Sequence, residues 1–170
     1  MADMVRSMAV VLALVGVIVL VSTRPHPDAV KVVETAPVVA MAAAQAEFPV
    51  VAPQNLPDGW RATSARWEPT ERSADAPVLH LGYVTPSEQY AQVSQSTATS
   101  PRYLAEQTGD GVATGSTDIA GTVWNTWENG DRRSLVRAVG ADETIVSGTA
   151  PWEELAILAA SLQPVAASTS

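Results

Sequence analysis

The hydrophobic pattern divides the chain into an apolar amino-terminal run, a proline-rich stretch and a region of short alternating segments. Residues 7–23 contain no charged side chain and lie between Arg6 and Arg24. At about 1.5 Å per residue, a helix over this run reaches about 26 Å, slightly short of the roughly 30 Å hydrocarbon core of a bilayer. The run is apolar on every face, as in a helix surrounded by lipid. We therefore predict a transmembrane signal anchor over residues 1–24, which contacts the bilayer through residues 7–23.

A cleavable signal peptide is the main alternative for this segment. Arg6 and the apolar run fit its first two parts, but residues 22–27 offer no small-x-small cleavage site. A buried core helix is a further alternative, which the apolar character of every face disfavours. Basic residues lie on both sides of the run, so they hardly discriminate orientation. We expect a single-pass protein of the cell membrane with a cytoplasmic amino terminus and an extracytoplasmic acidic domain.

The region after the anchor is predicted to form a stalk followed by one folded domain. Residues 25–54 are rich in proline and alanine, a composition typical of a spacer, in which a short helix capped by Thr35 is compatible with the sequence. The folded domain is predicted over residues 55–164, because a Leu-Pro-Asp-Gly-Trp turn signal opens it. Residues 165–170 are predicted to be a flexible tail.

Short runs of alternating apolar and polar residues predict the strands of this domain, and capping signals predict its helices. The predicted strands cover residues 60–68, 78–84, 90–96, 122–128, 132–139 and 144–148, and the predicted helices cover residues 100–107 and 151–163. Residues 109–121, rich in glycine and threonine, are predicted to be a loop. The resulting order, β-β-β-α-β-β-β-α, predicts an α+β domain with one antiparallel sheet of about six strands and two packed helices.

The Asn129-Gly130 pair is the strongest short hairpin signal in the chain. If these two residues form the turn, Trp127 pairs with Arg132 in the neighbouring strand. Because side chains alternate along a strand, Trp124 and Trp127 are then predicted to face opposite sides of the sheet.

Composition narrows the class of protein. Hydrophobic residues make up 46% of the chain and charged residues 16%, which is too apolar for a disordered protein. The 18 acidic residues outnumber the 10 basic ones, and the net charge of −8 argues against a nucleic-acid partner. Cysteine is absent, which excludes disulfides, thiol catalysis and thiolate metal ligands.

His80 is the one histidine of the predicted domain and its only candidate for imidazole chemistry. A metal site would need His80 with carboxylates alone, and the chain contains no serine elbow, phosphate loop or zinc-protease motif. We therefore predict no metal, no cofactor and no catalytic residue. A His80-dependent hydrolase that uses Ser94 or Ser96 is the remaining enzymatic alternative.

Five tryptophans against one phenylalanine are the unusual feature of the composition. An exposed Trp124 or Trp127 beside Arg132 would form a platform for a glycan or a protein partner, and these three residues are the predicted ligand-binding set. The structural alternatives are burial of the tryptophans, or a cation–π pair between Trp127 and Arg132.

Several segments, in order along nearly the whole chain, resemble one known family. They are residues 3–8, 56–66, 79–86, 95–96, 121–124 and 146–150. These segments resemble the actinobacterial membrane-anchored proteins grouped as domain of unknown function four-two-four-five. The resemblance implies one amino-terminal span and an exported domain, and it implies no activity or catalytic residue. The order of elements and the Pro-x-Gly-Trp opening are more loosely similar to PsbP-like domains, most of which are binding or assembly modules.

Together these features predict a membrane-anchored cell-envelope protein whose α+β domain is a non-enzymatic binding or assembly module. Its expected partner is another envelope or membrane protein, and no oligomeric state is predicted. The two alternatives are a cell-wall glycan-binding domain and the His80-dependent hydrolase.

Overall fold

The computed structural model describes four stretches of the chain, together with Met8 and Val15. The stretches are residues 31–69, 76–97, 100–139 and 142–166. The predicted membrane span over residues 7–23 therefore lies outside the described residues, apart from those two helical positions. None of the helices in the described stretches is both long and apolar enough to cross a membrane. The chain divides into two units, Met1–Val30 and Lys31–Ser170, and all elements below belong to the second.

The second unit is built on a seven-stranded antiparallel sheet. Its strands are β2 (Arg61–Glu68), β3 (Val78–Val84), β4 (Tyr90–Ser96), β5 (Val112–Ile119), β6 (Thr122–Asn129), β7 (Arg132–Val139) and β8 (Asp142–Gly148). They lie side by side in the order β2-β3-β4-β8-β7-β6-β5. A separate two-stranded sheet pairs β1 (Val51–Pro53) with β9 (Leu162–Pro164), which joins the two ends of the unit.

Three helices accompany the sheets. They are α1 (Ala36–Gln45), α2 (Pro101–Thr108) and α3 (Trp152–Ala160). The hydroxyl of Ser100 accepts a hydrogen bond from the Tyr103 N–H at 3.2 Å and so caps the start of α2. Gly109 ends the same helix with φ +68°, a conformation that favours glycine. Thr35 precedes α1, but its side chain makes no capping hydrogen bond, contrary to the prediction.

The sheet has two apolar faces because buried side chains alternate along its strands. On one side, here called the α3 face, residues of six strands form a single cluster with α3 and α1. This cluster includes Leu79, Leu81, Val93, Trp124, Leu135, Val146, Leu155, Leu158, Val39 and Ala42. On the other side, the α2 face, a smaller cluster contains Val78, Tyr103, Val136 and Ile145. Each fully buried aliphatic side chain contributes about 1.5–3 kcal/mol, so the α3 face holds most of the hydrophobic stabilisation.

The α+β class and the antiparallel sheet are confirmed. The predicted sheet of about six strands with two helices is corrected, since the described stretches contain a seven-stranded sheet, a two-stranded sheet and three helices. The predicted loop over residues 109–121 contains strand β5. Its side chains are exposed from Val112 to Asp118, so no burial imposes an apolar alternation. Gly115 further weakens the strand signal in the sequence, because it lies where the pairing of β5 with β6 shifts register.

The register of the β6–β7 hairpin differs from the prediction by two residues. Asn129 pairs with Arg132, so that Gly130 and Asp131 form the turn, and Trp127 lies opposite Ser134. A displacement by two preserves which side chains share a face. The prediction that Trp124 and Trp127 face opposite sides is therefore confirmed, since the two residues belong to clusters on opposite faces.

Residues 31–54, predicted as part of the stalk, lie in the folded unit and supply α1 and β1. Val39, Ala42, Phe48 and Val50 are buried in the cluster of the α3 face. The small side chains of this helix, which made the segment look like a spacer, are compatible with close packing against the sheet. Trp67 fixes the end of α1, because its indole N–H donates to Gln45 Oε1 at 2.8 Å.

Candidate functional site

A polar cavity of ≈520 Å³ opens on the α2 face of the sheet. Side chains from four strands and from α2 line it, as do the segment that precedes α1 and Val38 of α1. Its polar lining includes Ser64, Arg66, His80, Gln92, Gln107 and Arg132. Ser64 and Arg66 alternate along β2, and Arg66 pairs with His80 of β3. The cavity therefore follows from strand alternation, which puts these side chains on one face.

Gln92 is the centre of a hydrogen-bond network in this cavity. Tyr90 Oη donates to Gln92 Oε1 at 3.0 Å, and Gln92 Nε2 donates to Gln107 Oε1 at 3.0 Å. The same Nε2 lies 3.4 Å from His80 Nδ1. An amide nitrogen only donates, so we assign Nδ1 as the acceptor and the imidazole proton to Nε2.

Burial lowers the pKa of His80 below its usual value. The negative charge of Glu68 opposes this shift, whereas the nearby Arg66 adds to it. His80 is therefore neutral near pH 7, and its Nε2–H makes no hydrogen bond with the residues that the structure describes. It remains a donor at the cavity.

Arg132 lies at the carboxyl end of α2. Its Nη2 donates to the Gln107 carbonyl oxygen at 2.9 Å and to Ser147 Oγ at 3.1 Å. A guanidinium at this position complements the partial negative charge of a helix carboxyl end. Its Nε is buried and has no hydrogen-bond partner in the described part of the chain.

The structure does not bring the predicted ligand-binding residues together. Trp124 is only 1% exposed, on the α3 face, so it offers no ring surface to a glycan. Trp127 is half-buried against the cluster of the α2 face, and Arg132 lines the polar cavity. The cation–π contact forms elsewhere, with the Arg137 guanidinium carbon 5.1 Å from the Trp124 ring centroid. The prediction of a ligand-binding platform that includes Trp124 is thus corrected, because Trp124 is buried in the cluster of the α3 face.

The serines considered for a hydrolase are engaged with other groups. Ser94 is the cross-strand neighbour of His80, but its hydroxyl lies 2.6 Å from Tyr103 Oη. Ser96 donates to the Pro77 carbonyl oxygen at 2.8 Å. His80 itself is bonded to Gln92, so a nucleophile–base pair is not formed by these groups. Within the described ranges, no three histidine, aspartate or glutamate side chains are grouped as a metal site would require.

A second concave surface, here called the α3 groove, lies between α3 and the outer strands β5 and β6. Its volume is ≈710 Å³, and its apolar lining includes Ile119, Leu135, Trp152 and Ile157. Three charged residues line it, Asp118, Glu128 and Glu153, and all three are acidic. The α3 groove is therefore an apolar surface with a negatively charged rim.

Beside the α3 groove runs the outer edge of β5. Among the described strands β5 pairs only with β6, whereas the opposite edge strand β2 receives a backbone hydrogen bond from Val33 N–H to Ala62 O at 2.9 Å. Ile119 and Thr122 flank a two-residue turn, so the N–H groups of Ile119 and Thr117 point toward β6. Those of Ser116 and Asp118 consequently point outward. The β5 edge thus presents free backbone groups of the kind that pair with an added strand.

Glu143 is a buried carboxylate on the α2 face that lines neither the polar cavity nor the α3 groove. It is 8% exposed, its Oε2 has no hydrogen-bond partner among the described residues, and burial raises its pKa above 4.5. Because the pKa of Glu143 is higher in the folded state than in the unfolded state, proton binding to this carboxylate stabilises the fold at low pH. This contribution is fully present below the unfolded pKa and is lost as pH rises through the folded pKa.

We therefore expect Glu143→Gln to stabilise the protein at pH 7 by about 1 kcal/mol, because it removes a desolvated charge. Urea unfolding at pH 4 and pH 7 measures this, and the advantage of the variant is expected to shrink at pH 4. Glu47→Gln, at an exposed position, is the matched control and is expected to change neither value. An equal effect of Glu143→Gln at both pH values would contradict the expectation.

Comparison with known proteins adds a family and a fold-level likeness. The sequence model of a family described as "Protein of unknown function (DUF4245)" matches residues 1–162. Among curated proteins, no sequence matches the chain.

Two solved structures are similar to part of the chain, each with a TM-score of 0.42. A crystal structure of MucB in complex with MucA(peri) is 15% identical, with 70% of this chain and 38% of that chain covered. A complex structure of Pseudomonas aeruginosa MucA/MucB is 17% identical, with 70% of this chain and 36% of that chain covered. The chain thus spans less than two-fifths of the length of these solved chains.

Proposed function

We propose a binding function for this chain, which belongs to the DUF4245 family of proteins of unknown function. The domain is a non-enzymatic module that binds an extended segment of a partner protein along the β5 edge and in the α3 groove. The observation that carries the proposal is the exposed edge strand lying directly beside an apolar groove with an acidic rim.

The β5 edge supplies the backbone part of the interaction. An added strand exchanges hydrogen bonds with the outward N–H and C=O groups of Ser116 and Asp118, and each such bond contributes about 0.5–1.5 kcal/mol net. The register shift lies between Ala113 and Gly115, so the regular part of the edge extends from Gly115 to Ile119. This length suits a short extended peptide.

The α3 groove supplies the side-chain part. Successive side chains of an added strand point to opposite sides, so every second one enters the α3 groove beside Ile119 and Trp152. The apolar lining favours aliphatic or aromatic side chains at those positions. Ile157, 41% exposed at the groove, becomes covered when the site is filled.

The rim selects the charge of the partner. Asp118, Glu128 and Glu153 are not balanced by any basic residue in the lining of the α3 groove. The partner segment therefore carries lysine or arginine beside its apolar residues. An interaction of this kind associates faster at low ionic strength and weakens as salt screens the rim.

The proposal also includes the amino-terminal membrane anchor. The apolar run over residues 7–23, with Arg6 and Arg24 at its ends, supports a single-pass anchor. Its proposed orientation has a cytoplasmic amino terminus. The anchor holds the domain at the outer side of the cell membrane, where envelope and membrane proteins are the available partners. Support for a non-enzymatic role is the engagement of His80 with Gln92 and the absence of a catalytic motif from the sequence.

The test is site-specific photocrosslinking of the full-length chain in native membranes. A photoreactive residue at Thr117, which lines the α3 groove, is expected to capture one defined protein. The same residue at Ala44, exposed on α1, is the control position. Random capture of abundant neighbours from both positions would count against the proposal.

Ser116→Pro tests the β5 edge directly. Proline removes the outward N–H while leaving the inward groups that pair β5 with β6, so crosslinking from Thr117 is expected to fall about tenfold. Ser116→Ala keeps the N–H and is expected to retain crosslinking. Circular dichroism of both variants checks that the sheet is intact, and undiminished crosslinking in folded Ser116→Pro would refute strand addition.

A further inference from the structure

The polar cavity on the α2 face is separate from the surface proposed for protein binding. Its lining residues and those of the α3 groove have no member in common, and the two surfaces lie on opposite faces of the sheet. A volume of ≈520 Å³ falls within the range of small-molecule sites. The cavity therefore can hold a ligand of its own.

The polar groups of the cavity are held in fixed orientations before any ligand arrives. Gln92 bonds at once to Tyr90, Gln107 and His80, so its amide cannot turn without loss of several hydrogen bonds. This network leaves the His80 Nε2–H as an oriented donor. Sites that are preorganised in this way lose less entropy on binding.

Charges in the cavity are balanced, because two guanidinium groups, those of Arg66 and Arg132, and two carboxylates, those of Glu34 and Glu106, line it. Arg66 Nη1 lies 3.3 Å from Glu68, and Glu106 lies 3.0 Å from Arg102 Nε. The remaining guanidinium of the lining, that of Arg132, bonds to the Gln107 carbonyl at the carboxyl end of α2. The cavity consequently presents directional donors and acceptors rather than an unbalanced charge, which disfavours an ion as its ligand.

We propose that this cavity binds a neutral, hydroxyl-rich molecule of the size of one sugar unit. Hydroxyl groups both donate and accept, which matches the neutral imidazole of His80 and the amide of Gln107 together with the hydroxyl of Ser64. The ligand is either a free sugar or one unit of a glycan chain, since both offer this chemistry.

Nuclear magnetic resonance of the His80 ring tests the proposal in the full-length chain in detergent micelles. The sequence contains only His26 and His80, so His26→Ala identifies the ring signals of His80. The probes are glucose, N-acetylglucosamine, a soluble oligomer of N-acetylglucosamine, and glucuronate. Saturable shifts with a neutral sugar are expected, and tighter binding of the oligomer than of the single sugar indicates a glycan chain as the source.

Gln92→Ala is expected to weaken binding of the neutral sugar about tenfold, because it releases the orientation of His80 and removes a polar group that faces the ligand. Gln163→Ala, at an exposed position on β9, is the matched control and is expected to leave binding unchanged. Absence of any saturable shift with all neutral probes would overturn the proposal. Binding of glucuronate alone would also overturn it, since that result identifies an anion site.

Discussion

Gly148→Ala is expected to destabilise the domain by at least about 3 kcal/mol. A methyl group at this position would lie 2.9 Å from Ala91 Cα and from the Tyr90 carbonyl carbon, and it would overlap the Tyr90 carbonyl oxygen. All three atoms are backbone, so no side-chain rotation relieves the clash. The Tyr90 carbonyl also accepts hydrogen bonds from Thr149 and Ala150, which a displacement of β4 would weaken.

Gly121→Ala is the control that separates steric overlap from backbone conformation. Gly121 has φ +79° but nothing within 4 Å of the added methyl group, so only conformational strain of about 1 kcal/mol is expected. Urea unfolding of the full-length chain, followed by far-ultraviolet circular dichroism, measures both variants. Equal losses of stability in the two variants would show that β4 and β8 can separate at little cost.

Trp124→Ala is expected to lower the free energy of unfolding by about 3–5 kcal/mol. The ring is 1% exposed and lies in the cluster of the α3 face with Leu135 and Leu158. Truncation removes the largest fully buried side chain among the described residues and leaves a void that the surrounding strands cannot close. The guanidinium of Arg137 loses its aromatic surface at the same time.

Two further variants divide this effect into its parts. Trp124→Phe keeps an aromatic ring and is expected to lose less stability than alanine. Arg137→Met keeps the length of the side chain without its charge, so its loss, about 1 kcal/mol, isolates the cation–π contact. Urea unfolding again gives the measurement, and a loss below about 1 kcal/mol for Trp124→Ala would contradict the burial of this ring.

Elements with strong local signals could be predicted from the sequence, whereas those formed by tertiary contact could not. β3 and β4 have the predicted bounds, and the Thr-Pro-Ser turn signal that follows Val84 marks the end of the first of them. α2 begins and ends where the serine, proline and glycine signals place it. β5 was missed because neither of its faces is buried over most of its length. The packing of α1 was missed because an alanine-rich segment has the same composition in a spacer and in a close-packed helix.

The candidate sites likewise combine features with a local sequence signal and features that arise only from tertiary contact. Alternation gave the relative sides of Trp124 and Trp127, but it contains no information on how deeply either side of the sheet is covered. The polar cavity joins Ser64, Gln92 and Arg132, residues far apart in sequence that only the strand order of the sheet brings onto one face. No local pattern marks such a set, and of the polar residues that line the cavity only His80 and Arg132 were singled out from the sequence.

The pairing of β1 with β9 fixes the moment at which the domain can be completed. Val51 pairs with Pro164, and Val165 donates a backbone hydrogen bond to Val50, with almost the entire domain between these partners. During synthesis β1 leaves the ribosome long before β9 exists, so the growing chain cannot close its small sheet. For most of its synthesis the polypeptide therefore lacks this two-stranded sheet, and its amino-terminal strand β1 stays unpaired until the last residues of the domain have been made.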